Sequence, residues 1–296
     1  MVSIIILSYN TKELLQECLE SLYKNLKKIE FEVIVVDNAS TDGSASEISR
    51  FRQGLRSRGS DPRGFGGQAN LKLIENKKNV GFSKGNNIGA KIAKGEYLVF
   101  LNSDTEVRDD GLKGMINFLK SHTDVGILGG RLKNKDGSLQ KSAGVFYTLS
   151  NVFLMLFGGE QFVRFSPKEI QEVDWVSGAC FMIKKDLFSN LGGFDEHFFM
   201  YIEDMELCYR VKKMGYKVYF YPQANILHVG EGSSQRSFAI IHIYKGLLYF
   251  YAKHKSYIQY IMVKTLLIFK AIVAMIIGVV TFNKKLAITY RKALVF

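Results

Sequence analysis

Proline, cysteine and tryptophan are scarce in this chain: three, three and one residue respectively in 296. So few prolines, with no internal repeat and no long low-complexity tract, exclude a proline-rich scaffold or a solenoid and leave a globular chain of one large or two small domains. The cysteines, Cys18, Cys180 and Cys208, are odd in number, and no pair has metal-ligand spacing. They sit inside apolar patterns and read as reduced core thiols of a cytosolic protein, not as a disulfide framework. The start, Met1-Val2-Ser3-Ile4, has no basic region ahead of its apolar run, so no signal peptide is expected. Acidic residues are missing from the end. After Glu231 there are ten Lys/Arg and no carboxylate, leaving 30 basic and 28 acidic residues before that point. The net charge of +12 therefore belongs mainly to the tail. That asymmetry points to a surface-binding appendage and away from nucleic-acid binding by the whole molecule.

What is present is organised around Tyr97-Leu98-Val99-Phe100-Leu101, an apolar run that switches abruptly to Asn102-Ser103-Asp104. Such a run predicts a strand buried on both faces, placed centrally in a parallel sheet. Open α/β sheets bind ligands just outside the carboxyl ends of their strands. A carboxylate there can hold a hard divalent cation, and the cation a diphosphate. A plain Asn/Ser/Asp turn is the competing reading.

The flanking sequence alternates strand and helix. Val2 to Ser8 reads as a strand, with Asn10 and Glu13 as a capping pair for a helix reaching about Lys27. Phe31 to Val36 is a second strand, ending in Asp37-Asn38-Ala39-Ser40-Thr41-Asp42-Gly43. Residues 50–70 are polar and glycine-rich and read as a mobile loop or insertion. Leu71 to Ile74 resumes a strand, and Asn79 to Asn87 opens a helix ending near Lys94. A helix over Leu112 to Leu119, a strand over Val125 to Leu128, and a hairpin from Arg131 to Ala143 pivoting on Asp136-Gly137 follow. Phe146 to Phe157 fits either a core helix or a mobile flap. Beyond it lie a strand, a bend and a strand across Val173 to Ile183, a short helix from Lys185 to Asn190, a helix stopping at Gly215, a strand from Lys217 to Tyr221, and the segment Ala224 to Gly230.

Several blocks stand in a recognisable order: Ile6 to Asn10, Val35 to Gly43, Asn79 to Asn87, Leu101 to Asp104, Trp175 to Cys180, Gly192 to Asp204, and His228-Val229-Gly230. In this respect the chain resembles family 2 glycosyltransferases of the GT-A fold, an α/β fold with a Rossmann-like mixed sheet flanked by helices. It is most similar to bacterial rhamnosyltransferase-type enzymes of surface polysaccharide. The resemblance covers about Val2 to Ser234.

It implies an inverting transfer from a UDP- or dTDP-sugar, with dTDP-rhamnose favoured, to a lipid-linked or growing glycan. Asp204 would be the general base and a divalent cation (Mg²⁺ or Mn²⁺) would sit on Asp104 and His228. Nucleotide and substrate contacts are implied at Tyr9, Asn10, Asp37, Ser40, Gly81, Lys84, Asn87, Asn102, Ser103, Trp175, Gly178 and Glu203. The family's Asp-x-Asp appears here as Asn102-Ser103-Asp104, which predicts weaker metal affinity. Each residue also has a bland reading: Asp37 as a turn residue, Lys84 as a solvated lysine, His228 as structural, Trp175 as a core aromatic, Glu203-Asp204 as dipole-complementing acids. A sugar nucleotidyltransferase and a catalytically inactive glycan-binding or scaffolding homologue are the alternatives. The first should carry a Gly-rich phosphate loop where Ser8 to Lys12 stands.

Residues 1–235 are expected to form the glycosyltransferase domain and 236–296 a basic, hydrophobic helical tail. Within Tyr257 to Phe282, Lys264 and Lys270 leave Ala271 to Asn283 as the longest charge-free part, too short for a straight span of roughly 20 residues. A monotopic tail on anionic lipid is therefore expected, at about 1 kcal/mol per Lys or Arg near the surface, with one true span and helices that only complete the core as the alternatives. It would put the protein in the cytoplasm, peripherally attached to the inner face of the cell membrane.

Overall fold

The computed structural model describes residues 1–26, 29–57, 70–230 and 236–294. Strand β1 (Val2–Ser8) leads through helix α1 (Lys12–Asn25) to β2 (Phe31–Asp37), and α2 (Ser44–Ser57) leads to β3 (Leu71–Glu75). Helix α3 (Phe82–Ile92) then returns the chain to β4 (Tyr97–Asn102). These four strands lie parallel in the order β3-β2-β1-β4. Their side chains alternate between two cores. Ile4, Ile6, Val33, Val35, Val99 and Leu101 face one, while Ile5, Ile34, Val36, Leu98 and Phe100 face the other. A strand covered on both faces must be apolar throughout, which is why β4 reads as an unbroken run. Phe100 is fully buried among Phe181, Phe188 and Phe194, with ring centroids 5.0 to 5.1 Å away. Truncating such a phenylalanine costs about 3–5 kcal/mol.

The second half continues with β5 (Thr105–Val107), α4 (Gly111–Ser121), β6 (Val125–Lys133), β7 (Ala143–Gly144), α5 (Leu149–Leu156), α6 (Glu160–Val163) and β8 (Arg164–Phe165). Then come β9 (Gln171–Val173), β10 (Trp175–Val176), β11 (Cys180–Lys184), α7 (Lys185–Asn190), α8 (Glu203–Lys213) and β12 (Lys217–His228). The main sheet runs β3-β2-β1-β4-β11-β6-β12-β5, with β9 also on β12, and β10-β7-β8 form a small second sheet. β4 is central as expected. It has one parallel neighbour, β1, and one antiparallel neighbour, β11, so the sheet is mixed.

Several local expectations are revised. Asn10 does not cap α1: Thr11 holds the N-cap position, and Asn10 adopts φ +54° with its side chain turned to the loop after β2. Helix α2 occupies residues 44–57, so the front of the expected loop at 50–70 is helical, and 58–69 lie outside the described residues. The strand expected at Lys217 to Tyr221 runs on through the following segment as one strand, β12, because a register shift between Tyr221 and Asn225 absorbs Pro222, which has no N–H to give to the ladder. Residues 149–156 of the ambiguous aromatic stretch are helix α5, capped by Thr148. The turn at Asp136-Gly137 forms, with Gly137 at φ +85° and Lys133 bridging Leu139. All three cysteines are buried and free.

The C-terminal helices are α9 (Arg236–His254), α10 (Tyr257–Val280) and α11 (Lys284–Ala293). Helix α9 sends Tyr244, Leu247, Phe250 and Tyr251 into the core shared with Phe100. α10 is a continuous 24-residue helix with a Ser256–Gln259 capping box, so Lys264 and Lys270 do not interrupt it. It is long and apolar enough to cross a membrane by length and composition, and only 28% of its most apolar stretch is buried. Its buried stripe is Val263, Leu267, Ala271, Ala274 and Gly278. α11 then turns back to α9, where Thr289 donates to Ser237 at 2.8 Å.

Candidate active site

The carboxyl ends of β1, β2 and β4 open on a pocket of about 430 Å³, lined by Leu7, Tyr9, Asn38, Asn102, Asp104 and Phe82 among others. On its β2 side the strand register sets Asp37 beside Ser8. Asp37 is buried; its Oδ2 accepts from the Ser40 N–H at 3.0 Å, while its Oδ1 is buried without a partner. A buried acceptor left unpaired costs roughly 1–3 kcal/mol, which an N–H of a ligand would recover. Ser40 Oγ accepts from the Asn10 N–H, and Asn10 Oδ1 accepts from the Thr41 N–H at 2.7 Å. Asn10 and Ser40 therefore lock the two strand-end loops together and leave Tyr9 exposed at the pocket wall.

Asn38, beside Asp37, binds the opposite wall: its amide donates to Asn79 at 2.9 Å and its Oδ1 accepts from Asn76. Gly81 starts α3 at φ +86°, and a Cβ there would meet the Phe199 carbonyl at 2.5 Å. Only glycine fits that approach. Of the expected site residues, Tyr9, Gly81, Asn102, Ser103 and Asp104 line the pocket, while Asn10, Asp37, Ser40, Lys84, Asn87, Trp175, Gly178, Glu203, Asp204 and His228 do not. Lys84 is half-exposed and pairs with Glu196 at 3.0 Å, and Asn87 exchanges two hydrogen bonds with the backbone of Phe194. Neither lines the pocket.

The floor is built by the end of β4 and the turn after it, with His228 of β12 pairing to it from behind. Ser103, buried, accepts from Thr11, which in turn bonds Ser8. Asp104 Oδ1 lies 3.4 Å from His228 Nε2, and Oδ2 accepts from the Gly230 N–H at 3.1 Å. Burial pushes the Asp104 carboxyl up, but His228 and Gly230 more than offset it, so it stays below the usual carboxylate range. Asn102 Nδ2 is 3.4 Å from the same His228 nitrogen.

Gln140 was not anticipated from the sequence. Its amide nitrogen donates to the His228 carbonyl at 2.7 Å and to Asn134 Oδ1 at 2.6 Å. Its oxygen is therefore the acceptor at 2.7 Å from His228 Nδ1. That holds a proton on Nδ1 and leaves Nε2 facing Asp104 and Asn102, where it donates to the carboxylate while protonated and becomes a ligand lone pair when a cation displaces that proton. One carboxylate and one imidazole suit a divalent ion that takes its remaining oxygens from a diphosphate and water. No group of three or more His, Cys, Asp or Glu among the described residues forms a complete metal cage.

Asp204 stands behind the Phe82 wall. A Cβ on Gly178 would lie 3.3 Å from Phe82 and 3.6 Å from the Asp204 Cβ, so one residue's thickness separates carboxylate and pocket. Asp204 Oδ2 accepts from the Gly178 N–H at 2.9 Å and Oδ1 from the Met205 N–H at 2.8 Å. Burial raises its carboxyl, only partly countered by those N–H groups and by the charge of Arg164. Glu203 is buried, with Oε2 unpaired; burial, then the Asp204 charge, push its carboxyl well above the ordinary range. Tyr201 and Ile202, at φ +70° and +73°, place α8 at a cost of about 1–3 kcal/mol each. Ile202 is clamped in that state by Gly246 of α9. Trp175 is buried, with its indole N–H on the Val145 carbonyl, and is a core aromatic by burial. Phe199, Met200 and Phe238 also line the pocket, the last contributed by α9.

A sequence profile described as "Glycosyl transferase family 2" matches residues 3–203. The chain is 30% identical over 249 residues to the O-antigen biosynthesis protein RfbC of Myxococcus xanthus, covering 81% of this chain and 18% of that protein. It is 25% identical over 224 residues to the N-acetylglucosaminyl-diphospho-decaprenol L-rhamnosyltransferase of Mycobacterium tuberculosis, covering 66% of each. Thus it spans under a fifth of the first relative's length and just under two thirds of the second's. Its fold matches the mannosyltransferase PcManGT from Pyrobaculum calidifontis in complex with GDP-Man and Mn²⁺. There the TM-score is 0.59 at 19% identity, over 99% of this chain and 73% of that one. With more than half its length matched by the profile and its mixed sheet that of GT-A transferases, this chain belongs to glycosyl transferase family 2.

Proposed function

We propose that the protein is an inverting glycosyltransferase that moves a sugar from a UDP- or dTDP-sugar to a lipid-linked or growing glycan, with Asp204 as general base. The observation that carries this reading is Asp104, on the lining of the pocket, paired with His228 behind it, together with a half-buried Asp204 carboxylate that desolvation raises beyond the Phe82 wall. The unpaired Asp37 Oδ1 suits the imide N–H of a uracil or thymine base, with Tyr9 beside it. Asp104 and His228 would hold a divalent cation, which when bound neutralises charge on the departing diphosphate. Asp204 takes the proton of the acceptor hydroxyl as its oxygen bonds to the anomeric carbon. The bond from that carbon to the diphosphate breaks on the opposite face, and the nucleoside diphosphate leaves with the electron pair. The relative that acts on a diphospho-decaprenol and the rhamnosyl transfer in its name favour a lipid-linked acceptor and dTDP-rhamnose.

In this reading residues 1–235 are the transferase unit and 236–296 attach it to the inner face of the cell membrane. Helix α10 exposes Ile258, Ile261, Phe269, Ile272 and Ile276, while the chain after it returns to α9. Both ends of α10 thus stay with the same body, which favours a helix lying in the bilayer surface over one crossing it.

The test is release of nucleoside diphosphate from a panel of UDP- and dTDP-sugars with and without Mn²⁺. One donor should be turned over, with Mn²⁺ required. Asp204→Asn should lower turnover about 10²- to 10⁴-fold while nucleotide binding is retained. Because Asp204 is raised by burial, wild-type kcat should fall with acid at a pH above the usual carboxylate range. Turnover near wild type in Asp204→Asn would remove it as the base.

A further inference from the structure

Arg164, at the end of α6, acts on the Asp204 carboxylate through its charge and packs on Trp175. Its guanidinium lies over the Trp175 ring, 5.7 Å from the centroid. Trp175 opens the short segment whose Gly178 N–H holds Asp204 at 2.9 Å. Arg164 directly follows α6, where Phe162 is 68% exposed. Helix α5 presents Phe153 and Phe157, also exposed, and the Phe157 ring lies 6.2 Å from Phe269 of α10. Lys270 sits over Phe157 at 5.1 Å. Arg164 and Phe162 thus sit at α6, next to α5, whose exposed Phe153 and Phe157 lead onto Phe269 of α10.

The hydrogen-bonding capacity of Arg164 is only partly used. Nη1 meets Glu160 at 3.2 Å, Nη2 donates to the Lys141 carbonyl at 3.3 Å, and the buried Nε has no partner. The Glu160 contact is an i,i+4 pair with both side chains well exposed (39% and 47%), the kind worth a few tenths of a kcal/mol. A phosphate offers the guanidinium a bidentate, charge-assisted partner that such a pair does not match. Arg164 also acts on Asp204 through its charge.

We infer that Arg164 is the anion anchor of the acceptor site: it binds the phosphate of a phosphate-linked lipid acceptor whose chain lies along Phe162, Phe157 and Phe269. This rests on the reading of the protein as a transferase to a lipid-linked acceptor, and it assigns the residue that selects a phosphate-bearing acceptor over a free sugar. Phe162 supplies contact to the chain, and the basic, acid-free segment around Lys270 keeps the phosphate end at the anionic surface.

The test is calorimetric titration of the full chain with farnesyl diphosphate in EDTA, so that no metal recruits the diphosphate to Asp104. Wild type and Asp104→Ala should bind alike, and Arg164→Gln should bind at least tenfold more weakly. Farnesol, which lacks the phosphate, should bind wild type and Arg164→Gln equally. Because Arg164 braces the Trp175 ring, Arg164→Lys is the second variant, and recovery of most of the lost affinity supports a charge role. Equal binding of the diphosphate by wild type and Arg164→Gln, or a Lys variant as weak as Gln, overturns the assignment. So does loss of binding in Asp104→Ala, which would place the diphosphate in the donor pocket. None of these outcomes touches the nucleotide-release assay, so the transferase reading and the Arg164 assignment fail separately.

Discussion

Replacing Gln140 by Met keeps the side-chain length and removes every polar contact it makes. Three hydrogen bonds are lost: two at 2.7 Å to the ring and carbonyl of His228, and one at 2.6 Å to Asn134. His228 would then be free to rotate and to carry its proton on Nε2, the nitrogen 3.4 Å from Asp104. Partners that orient a metal-binding histidine typically contribute 10- to 100-fold in metal affinity, or about 1.4–2.7 kcal/mol. A value near the upper end is expected, because the site offers one carboxylate and one imidazole and no further acidic group to compensate. The assay is Mn²⁺ titration followed by electron paramagnetic resonance, with UDP or dTDP present. The variant should show a Kd raised 10- to 100-fold, with a loss of thermal stability of only about 1–2 kcal/mol from the opened hairpin. An unchanged Mn²⁺ Kd would refute the argument that Gln140 sets the histidine tautomer for a cation.

Glu206 is fully buried and binds Arg210, Lys253 and His254 at 2.8 to 3.0 Å, joining α8 to α9. Glu206→Ala strands the positive partners; allowing Lys253 to turn to solvent, a loss of about 3 kcal/mol is expected, or roughly 6–12 °C in Tm by calorimetry. A shift under about 2 °C would show that the network is not a clamp. Burial raises the carboxyls of Glu206 and Asp195, but Arg210 and Lys253 respectively lead the hydrogen bonds that overcome it, leaving both below the ordinary range. Their stabilisation is therefore complete above the unfolded carboxylate pKa near 4 and is lost as pH falls below it, so urea denaturation should show a steeper decline from pH 5 to 3 in wild type than in Glu206→Gln. Parallel curves would contradict that linkage. Ile272→Glu with Ile276→Glu, both on exposed positions of α10, should reduce binding to vesicles containing anionic lipid at least tenfold without lowering Tm, as read by co-sedimentation. Undiminished binding would move the membrane contact away from that face.

Much of the site could be found in the sequence because its residues sit at the ends of strands. Asp37, Asn102, Ser103 and Asp104 follow apolar runs, and strand ends in an α/β sheet converge on one edge whatever the loops between them do. The helix boundaries at Lys185–Asn190 and the stop near Gly215 were readable for the same local reason, since periodicity and a glycine at φ +86° mark them. Contacts across long separations were not readable. Gln140 lies in a polar hairpin with nothing to set it apart, and only the fold brings it to His228, 88 residues away. Lys84 and Asn87 looked like ligands beside a glycine-started helix, yet Glu196 and Phe194, more than a hundred residues on, claim their side chains.

The tail divides the same way. Composition alone set its charge, its apolar face and the lack of acids after Glu231, and those depend on no neighbour. Whether α10 stands alone or lies against the body depends on which of its faces finds a partner, and a single apolar helix carries no record of that. Packing of Gly278 on Ala287 and the return of α11 to Ser237 decided it. By itself, then, the sequence determined the alternation of strands and helices, the acidic strand ends and the basic tail, because each is a short-range pattern. Only the tertiary structure decided which nitrogen of His228 faces Asp104, how burial raises Asp204, and that Arg164 packs on Trp175. Orientation, desolvation and proximity are properties of groups far apart in the chain.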